Sequence, residues 1–326
     1  MIRRSLPGRF RVKAALEVGV GSVSRRDFCL LAAAAAVLPK AWASPMGMPI
    51  GIQLYTVGKP YADDPAGTLK ELKEIGYREM ETSILPNLGS KKQRELFDAA
   101  GLTCPSVHLQ LTGSDLGVAF DAAHTLGAHY AVSSVLRDFG ADFIKAAKAA
   151  MSGEKVTLPA LPPLGMDGFK KTAEHMNEVG RKAKAAGLQY AYHNHNFEFE
   201  KLPDGSPGYD LLLKETDPDL VKFEIDCGWM EVAGSDPVHY MTTYPGRVKM
   251  LHIKDFKPVA KPTVDLTGAG RPQGTDLGTG FVDYKPIFAA GKAAGIEHIF
   301  VEQEAPFVVS QMESARVDFA YLAKFN

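Results

Sequence analysis

The stretch VKMLHIKDF, residues 248–256, joins an apolar β-type run to polar side chains at its end. Seven other stretches of β-type sequence occur, at residues 50–57, 77–83, 102–110, 129–135, 188–195, 221–228 and 298–304. Segments with helical periodicity lie between them, and several begin at an Asp or Ser cap and end at a Gly, as helices prefer. Eight strands that alternate with helices predict an α/β fold of the (β/α)8, or TIM, barrel class.

The main alternative to a barrel is a doubly wound open sheet. Such a sheet usually has fewer strands and a glycine-rich first turn, but the first predicted strand and its turn, residues 51–60, contain no G-x-G-x-x-G pattern. Two long connections, residues 137–167 and 257–283, each follow a strand and precede a helix, which in a barrel places them at the C-terminal mouth. Their Pro and Gly content suits a lid, although tolerated surface insertions would have the same composition.

The N-terminal segment has the form of an export signal. The pair Arg25 and Arg26 precedes an apolar run at residues 29–38, and residues 41–43 give a small-x-small end. This pattern predicts a secretory signal peptide that is too short for a transmembrane helix. Residues 24–28 resemble the twin-arginine motif, which marks the export of folded proteins.

We therefore predict a twin-arginine signal peptide at residues 1–43, a periplasmic location, and a single barrel domain at residues 44–326. The net charge of the whole chain is −1, which lacks the basic surplus that binding to a phosphate backbone requires. We expect no nucleic-acid partner and no stable membrane insertion, and a homo-oligomer is left open. Cys104 and Cys227 remain after cleavage, and we expect no disulfide between them.

Histidines and carboxylates collect at the ends of the later predicted strands. His193 and His195 lie two residues apart, so they share one face of a strand. Taken alone, such a pair fits a half-buried strand with hydrogen-bonded histidines as well as it fits a metal or catalytic site. The next three strands add Asp226, His252 and Glu302 at a similar depth.

Imidazoles and carboxylates crowded into one lumen are costly unless another charge offsets them. Two carboxylates and two neutral imidazoles balance a divalent cation. The sequence therefore predicts a metal site formed by His193, Asp226, His252 and Glu302. Mixed nitrogen and oxygen donors favour Mn, Fe, Co, Ni or Zn over Mg or Ca.

In this order, the motifs resemble the xylose isomerase-like TIM barrels of the sugar phosphate isomerase/epimerase group, which includes ketose 3-epimerases, inosose dehydratases and endonuclease IV. The resemblance covers residues 48–324, and the matching segments are GIQLYTV, GYREMETS, SVHLQ, HNH, EIDCGW, RVKMLHIKDF, LGTGFVDYKPI and IFVEQE. It implies metal ligands of the types Glu, Asp, His and Glu on strands five to eight.

Three of those ligand positions match in type, at Asp226, His252 and Glu302. Strand five departs from the pattern, because His193 occupies the position of the family's glutamate. In the family's epimerases the glutamates of strands five and eight also form the acid/base pair, so only Glu302 remains of that pair. The loss of one negative ligand should make the metal a stronger Lewis acid.

Five further residues are candidates for roles beside the metal, each with a structural alternative. Lys254 could steady a substrate oxygen or an enolate, or form an ion pair with a nearby carboxylate. His108 and Glu81 could bind hydroxyls or act as acid and base, or lie in a hydrogen-bonded rim. Trp229 could stack on a sugar or pack in the core, and His195 could orient a ligand or transfer protons.

Three other glutamates near these strands are given no catalytic role. Glu224 lies one inward layer deeper than the predicted ligands, so we expect it to be held by a partner inside the barrel. Glu198 and Glu200 follow strand five, and we expect them to form a solvated edge.

These residues predict a metal-dependent isomerase or epimerase that acts next to a carbonyl of a sugar or cyclitol through an enediolate. A lyase that expels a β-hydroxyl or glycosyl group from a keto-sugar or keto-glycoside is the alternative, and export favours it because free sugars and glycosides reach the periplasm. A non-catalytic sugar-binding barrel would not need the intact metal ligands. An apurinic-site nuclease would need more ligands and a basic face for DNA.

Overall fold

The computed structural model describes residues 44–325, except for 114, 135, 137–139, 152–155, 157, 160–161 and 268–270. The predicted signal peptide lies outside the described residues. Eight parallel strands close into a barrel in which β1 pairs with both β2 and the last strand. The barrel strands are β1 Gly51–Gln53, β2 Glu79–Ser83, β3 Thr103–His108, β4 Tyr130–Ser134, β5 Gln189–His193, β6 Val221–Asp226, β7 Val248–Ile253 and β10 His298–Val301. The predicted (β/α)8 fold is confirmed.

Helices follow the strands around the outside of the barrel. They are α1 Gly58–Asp63, α2 Pro65–Ile75, α3 Gly89–Ala100, α4 Gly117–Leu126, α5 Gly140–Met151, α6 Gly165–Ala185, α7 Gly208–Glu215, α8 Cys227–Val232, α9 Pro237–Thr243, α10 Tyr284–Ala294 and α11 Gln311–Leu322. Most of the apolar core lies between the strands and these helices. Among the described residues, no helix has the length and apolar content needed to cross a bilayer.

Three predicted segments differ from the structure. The first strand ends at Gln53, whose side chain accepts a hydrogen bond from the backbone of Tyr55 and begins a 3-10 turn at Leu54–Val57. The connection at residues 137–167 contains helix α5. The connection at residues 257–283 contains β9, Gly274–Thr275, which pairs antiparallel with β8, Asp255–Phe256.

The lumen of the barrel changes from apolar to polar along its axis. A small cluster of buried apolar side chains fills one level, and its members are Tyr130, Val132, Ala191, Met250 and Phe300. Buried polar side chains, including Glu81 and Glu224, occupy the level toward the C-terminal ends of the strands. The buried polar side chains therefore lie above a layer of apolar side chains.

Candidate active site

Four donor side chains meet at the C-terminal ends of β5, β6, β7 and β10. Asp226 ends β6 in register with His252 on β7, and the closed barrel brings His193 and Glu302 beside them. One donor atom of each residue lies within 4.8 Å of those of the other three. Bonds of about 2.0–2.2 Å to a first-row metal place its donors roughly 3–4 Å apart. The structure thus brings together the four predicted ligands at a spacing that suits one cation.

Only one of the two carboxylate oxygens of Asp226 has a hydrogen-bond partner in the protein. Its Oδ1 accepts a hydrogen bond of 2.8 Å from the backbone N–H of Trp229 and so caps helix α8. Its Oδ2 is buried and has no hydrogen-bond partner, although the Lys254 ammonium lies 3.6 Å away. Burial raises the pKa of this carboxyl to about 6. A buried carboxylate oxygen without a partner is costly, and a cation at this point would satisfy it.

The His252 imidazole is fixed by carboxylates on both of its nitrogens. Nε2 lies 2.6 Å from Glu81 Oε2, and Nδ1 lies 3.2 Å from Glu302 Oε2. The contact with Glu81 directs Nδ1 toward Glu302, which is another of the four donors. Carboxylates that hold the second nitrogen of a histidine in this way orient metal-binding imidazoles in many proteins. Glu81 is therefore placed to orient His252, while a contact between Glu81 and a substrate hydroxyl stays a prediction.

A second polar layer lies beneath the four donors and is centred on Glu224. Its Oε2 is 3.0 Å from His193 Nδ1, 3.1 Å from His108 Nε2 and 3.2 Å from His252 Nε2. These three imidazoles and Glu224 also present donor atoms within 4.8 Å of one another. Burial and the neighbouring Glu81 raise the pKa of Glu224 to about 7. Glu224 is held inside the barrel, as expected, and its partners are the imidazoles themselves.

His108 joins this deeper layer to the barrel mouth. Burial alone would lower its pKa, but the carboxylates of Glu81 and Glu224 raise the pKa to about 10. Ser106 and Gln53 also donate hydrogen bonds to Glu81, the latter at 3.0 Å. The lower layer is therefore a network in which each carboxylate contacts more than one imidazole.

An open cavity of about 250 Å³ lies at the mouth beside the four donors. Its lining residues are Gln53, Tyr55, Ser83, His108, His195, Glu302 and Glu304. Glu302 belongs to both the cavity and the donor cluster. A small molecule in this cavity would contact Glu302 directly.

A family model described as Xylose isomerase-like TIM barrel matches residues 69–324. The chain belongs to this family. The resemblance that the ordered motifs indicate is thus confirmed at the level of the family.

Individual relatives of the family carry different names. An inosose dehydratase from Lacticaseibacillus casei is 29% identical over 145 residues, covering 42% of this chain and 48% of that protein. The chain spans about half the length of the curated relatives it matches. A sugar phosphate isomerase/epimerase from Parabacteroides distasonis ATCC 8503 has a TM-score of 0.66 at 25% identity, covering 88% of this chain and 95% of that chain. A xylose isomerase-like TIM barrel protein from Mycobacterium smegmatis in complex with magnesium has a TM-score of 0.61 at 15% identity, covering 86% and 97%, and shares the fold.

Lys254 lies in an ion-pair network beside the family's ligand positions. Its Nζ donates to Glu302 at 2.9 Å and to Glu304 at 2.6 Å, and the side chain is 1% exposed. Burial alone would lower its pKa, but the carboxylates raise it above the usual value. The structure therefore shows the ion-pair alternative for Lys254, and a contact with substrate stays a prediction.

The structure packs Trp229 inside the protein. The side chain is 1% exposed, and its ring centroid lies 4.6 Å from that of Phe256. The Lys254 ammonium lies over the ring at 5.1 Å. This close packing depends on Gly228, because a Cβ there would lie 2.6 Å from the Lys254 carbonyl oxygen. Packing is what the structure shows for Trp229, and sugar stacking remains an untested prediction.

His195 presents an imidazole with an unused nitrogen. The residue lines the cavity, and its Nδ1 is buried without a hydrogen-bond partner. Burial lowers the pKa of this imidazole to about 4, which keeps it neutral near pH 7. Its backbone N–H donates to Glu198 Oε2 at 2.8 Å, and this contact fixes the turn that carries the ring.

The prediction that Glu198 and Glu200 form a solvated edge is wrong. Glu198 is buried and also accepts a hydrogen bond of 2.8 Å from the Tyr192 hydroxyl. Glu200 accepts hydrogen bonds from the backbone of Leu164 and Gly165, at 3.0 and 2.7 Å. Both carboxylates therefore satisfy backbone and hydroxyl donors that would otherwise be left unpaired.

Sequence reasoning missed four of the residues that line the cavity, namely Gln53, Tyr55, Ser83 and Glu304. Glu304 had a usable signal, because it lies two residues after Glu302 and so on the same side of an extended chain. Lys254 and Arg271 both contact Glu304. The other three lie at the ends of β1 and β2, where the sequence shows no clustering of charged residues.

Proposed function

We propose that the protein is a metal-dependent lyase that acts on a keto-sugar, keto-glycoside or keto-cyclitol. It removes the proton next to the carbonyl and expels the hydroxyl or glycosyl group on the next carbon. The single observation that carries this proposal is the position of Glu302. It lies in both the donor cluster and the substrate-sized cavity, while His193 fills the position of the second carboxylate that the family's epimerases use.

The proposed cation is held by His193, Asp226, His252 and Glu302, and the mixed donors favour Mn, Co, Fe or Zn. The fit rests on the spacing of these four donors and on the unpartnered Oδ2 of Asp226. When bound, such an ion supplies Lewis acidity that polarises the carbonyl.

The chain's own groups can complete the elimination. Glu302 accepts the proton from the carbon, and the electron pair of that C–H bond forms the new double bond. The bond to the leaving oxygen breaks with its electron pair, and that oxygen takes up a proton. His108, protonated and beside the cavity, is the candidate donor of this proton. Lys254, 2.9 Å from Glu302, lowers the pKa of that carboxyl and keeps it ionised.

Several curated relatives are named inosose dehydratases, which supports elimination. Epimerisation is the second candidate, because His195 also lines the cavity. Inversion at a carbon needs a second group that delivers a proton to the opposite face, and the His195 imidazole is the candidate for that role. We further propose a periplasmic location for the mature protein, supported by the arginine pair and the apolar run near the N-terminus.

The test is metal analysis of the purified protein, followed by NMR of a panel of 3-keto-sugars, 3-keto-glycosides and keto-inositols in deuterated water. We expect loss of the substituent next to the exchanging carbon. Glu302→Gln should lower this rate at least about 100-fold, since a general base contributes that much or more. Glu313→Gln, an exposed control on α11, should leave the rate unchanged. An epimer without elimination would select the second candidate, and no exchange by metal-loaded protein on any compound would refute both.

A further inference from the structure

A second cavity adjoins the first at the barrel mouth. Its volume is about 160 Å³, and its lining residues are Gln53, Leu54, Tyr55, Gly58, Tyr61, Ala62, Thr82, Ser83, Leu85 and Asn87. Gln53, Tyr55 and Ser83 line both cavities. The two spaces are therefore neighbours and share a wall formed by these three residues.

The chemistry of the second cavity differs from that of the first. The side chains of Leu54, Leu85 and Ala62 and the rings of two tyrosines give it an apolar surface. Tyr55, which lines both cavities, is 63% exposed. None of the described residues that line either cavity is a lysine or arginine. A phosphate group would find no cationic side chain in the second cavity, and His108 of the first cavity is already paired with Glu81 and Glu224.

Tyr61 provides an independent sign of a ligand. The residue is 2% exposed, and its hydroxyl oxygen is buried without a hydrogen-bond partner. Burial raises the pKa of this hydroxyl, so it stays protonated and able to donate. A buried hydroxyl without a partner costs about 1–3 kcal/mol, and a ligand atom that accepts its hydrogen bond would remove that cost.

We propose that this second cavity is a subsite for the aglycone of a keto-glycoside, namely an aromatic ring that carries a hydrogen-bond acceptor for Tyr61. The proposal rests on the proposed function and specifies its substrate class. An apolar cavity of about 150 Å³ accommodates a benzene molecule, so the volume suits one six-membered ring. The absence of Lys, Arg and His from the described lining of the second cavity favours a neutral group over a phosphate there.

Elimination chemistry keeps an aglycone close to the carbon that loses its proton. In a 3-keto-glycoside, C2 is one of the two carbons next to the carbonyl, and the aglycone oxygen is on C1. Removal of the C2 proton forms a C1–C2 double bond, and the C1–O bond breaks with its electron pair. The aglycone leaves as a phenol or alcohol once its oxygen gains a proton. The leaving group is therefore one carbon away from the proton that Glu302 removes.

The subsite can be tested without any reaction. Binding of 4-fluorophenol to the purified protein is followed by ¹⁹F NMR, with fluorobenzene as the ligand that lacks the acceptor oxygen. We expect saturable binding of both compounds. Tyr61→Phe should weaken 4-fluorophenol at least about 3-fold and leave fluorobenzene unchanged, because it removes the donor and keeps the ring.

Filling the cavity gives a second and separate test. Ala62→Phe should abolish binding of both probes, whereas Ala66→Phe, an exposed alanine on α2 outside the lining, should not. Phenyl β-D-glucoside should bind at least about 10-fold more tightly than methyl β-D-glucoside to the wild type, and equally to Ala62→Phe. Absence of saturable binding, or binding that Ala62→Phe leaves intact, would overturn the subsite. Probe binding without any deuterium exchange would refute the proposed function but support the subsite. Deuterium exchange without probe binding would support the proposed function but refute the subsite.

Discussion

Asp226→Asn should have opposite effects on the metal-free and the metal-loaded protein. The substitution keeps the size of the side chain and an oxygen that can cap α8, but it removes the negative charge. The folded-state pKa of about 6 lies above the reference value of 3.8, so the ionised group destabilises the metal-free fold as the pH rises from about 4 to about 6. At pH 7 the whole penalty is present, about 3 kcal/mol for a shift of about 2 pKa units.

Removal of the charge removes this penalty and so stabilises the variant. An unpartnered amide group in place of Oδ2 would offset about 1 kcal/mol of that stabilisation. We therefore expect metal-free Asp226→Asn to be about 2 kcal/mol more stable than metal-free wild type at pH 7, and to show no such gain below pH 4. Metal at 100 times its dissociation constant should stabilise the wild type by about 2.7 kcal/mol. If the variant binds at least 100-fold more weakly, the same metal concentration stabilises it by about 0.4 kcal/mol.

Urea denaturation with EDTA and with added Mn²⁺, at pH 4 and pH 7, measures all of these differences. Asp236→Asn is the matched control, because Asp236 also caps a helix through its Oδ1, to Val238 N at 2.8 Å, but lies on the surface. The control should behave like the wild type in its response to Mn²⁺. A variant that keeps the full metal-linked stabilisation would refute the assignment of Asp226 as a ligand, and a large loss of stability without metal would refute the electrostatic argument.

Three further predictions concern separate parts of the chain. His193→Glu places a second carboxylate against Glu224 and returns a negative charge to the site, so elimination on a keto-sugar should fall at least about 10-fold, or about 1.4 kcal/mol, with metal retained; an unchanged rate contradicts this. Burial raises the pKa of Asp318 to about 8, so this carboxyl alone should lower wild-type stability by about 1.4 kcal/mol per pH unit from pH 5 to 8. Asp318→Asn should flatten that slope in urea denaturation, whereas parallel curves would contradict it. Replacement of both Arg25 and Arg26 by Lys should retain the precursor inside the cell, as cell fractionation would show. Continued export would count against the signal peptide.

The barrel was predictable because alternation of short apolar strands with capped helices is a local property. The residues at which the strands end were harder to predict. Gln53 turns the chain by accepting a hydrogen bond from Tyr55 N, and Asp226 starts a helix by capping Trp229 N. In both cases a side chain competes with strand pairing for a backbone group, and apolar content does not reveal that competition. Helix α5 was missed because the connection that holds it was interpreted from its Pro and Gly content.

The four donors could be found because they end strands that a closed barrel places side by side. The layer beneath them could not, because the position of Glu224 among three imidazoles depends on the registers of β3, β5, β6 and β7. Tyr61 had no signal either, since a tyrosine in a short helix usually packs in a core. Only the closed structure shows that its hydroxyl is left without a partner.

The depth of the donor cluster has a consequence for exchange kinetics. His193, Asp226 and His252 are at most 2% exposed, and Glu302 is the member of the cluster that lines the mouth cavity. An ion held by these residues would enter and leave past Glu302, through the space that a substrate fills. A bound sugar would then block the exit of the ion. The dissociation rate of the ion would depend on release of the sugar as well as on the affinity of the metal site. The metal found in purified protein would then be the ion that was bound when the chain folded. Exchange of an isotopically labelled metal, with and without a cavity ligand, would measure its dissociation rate.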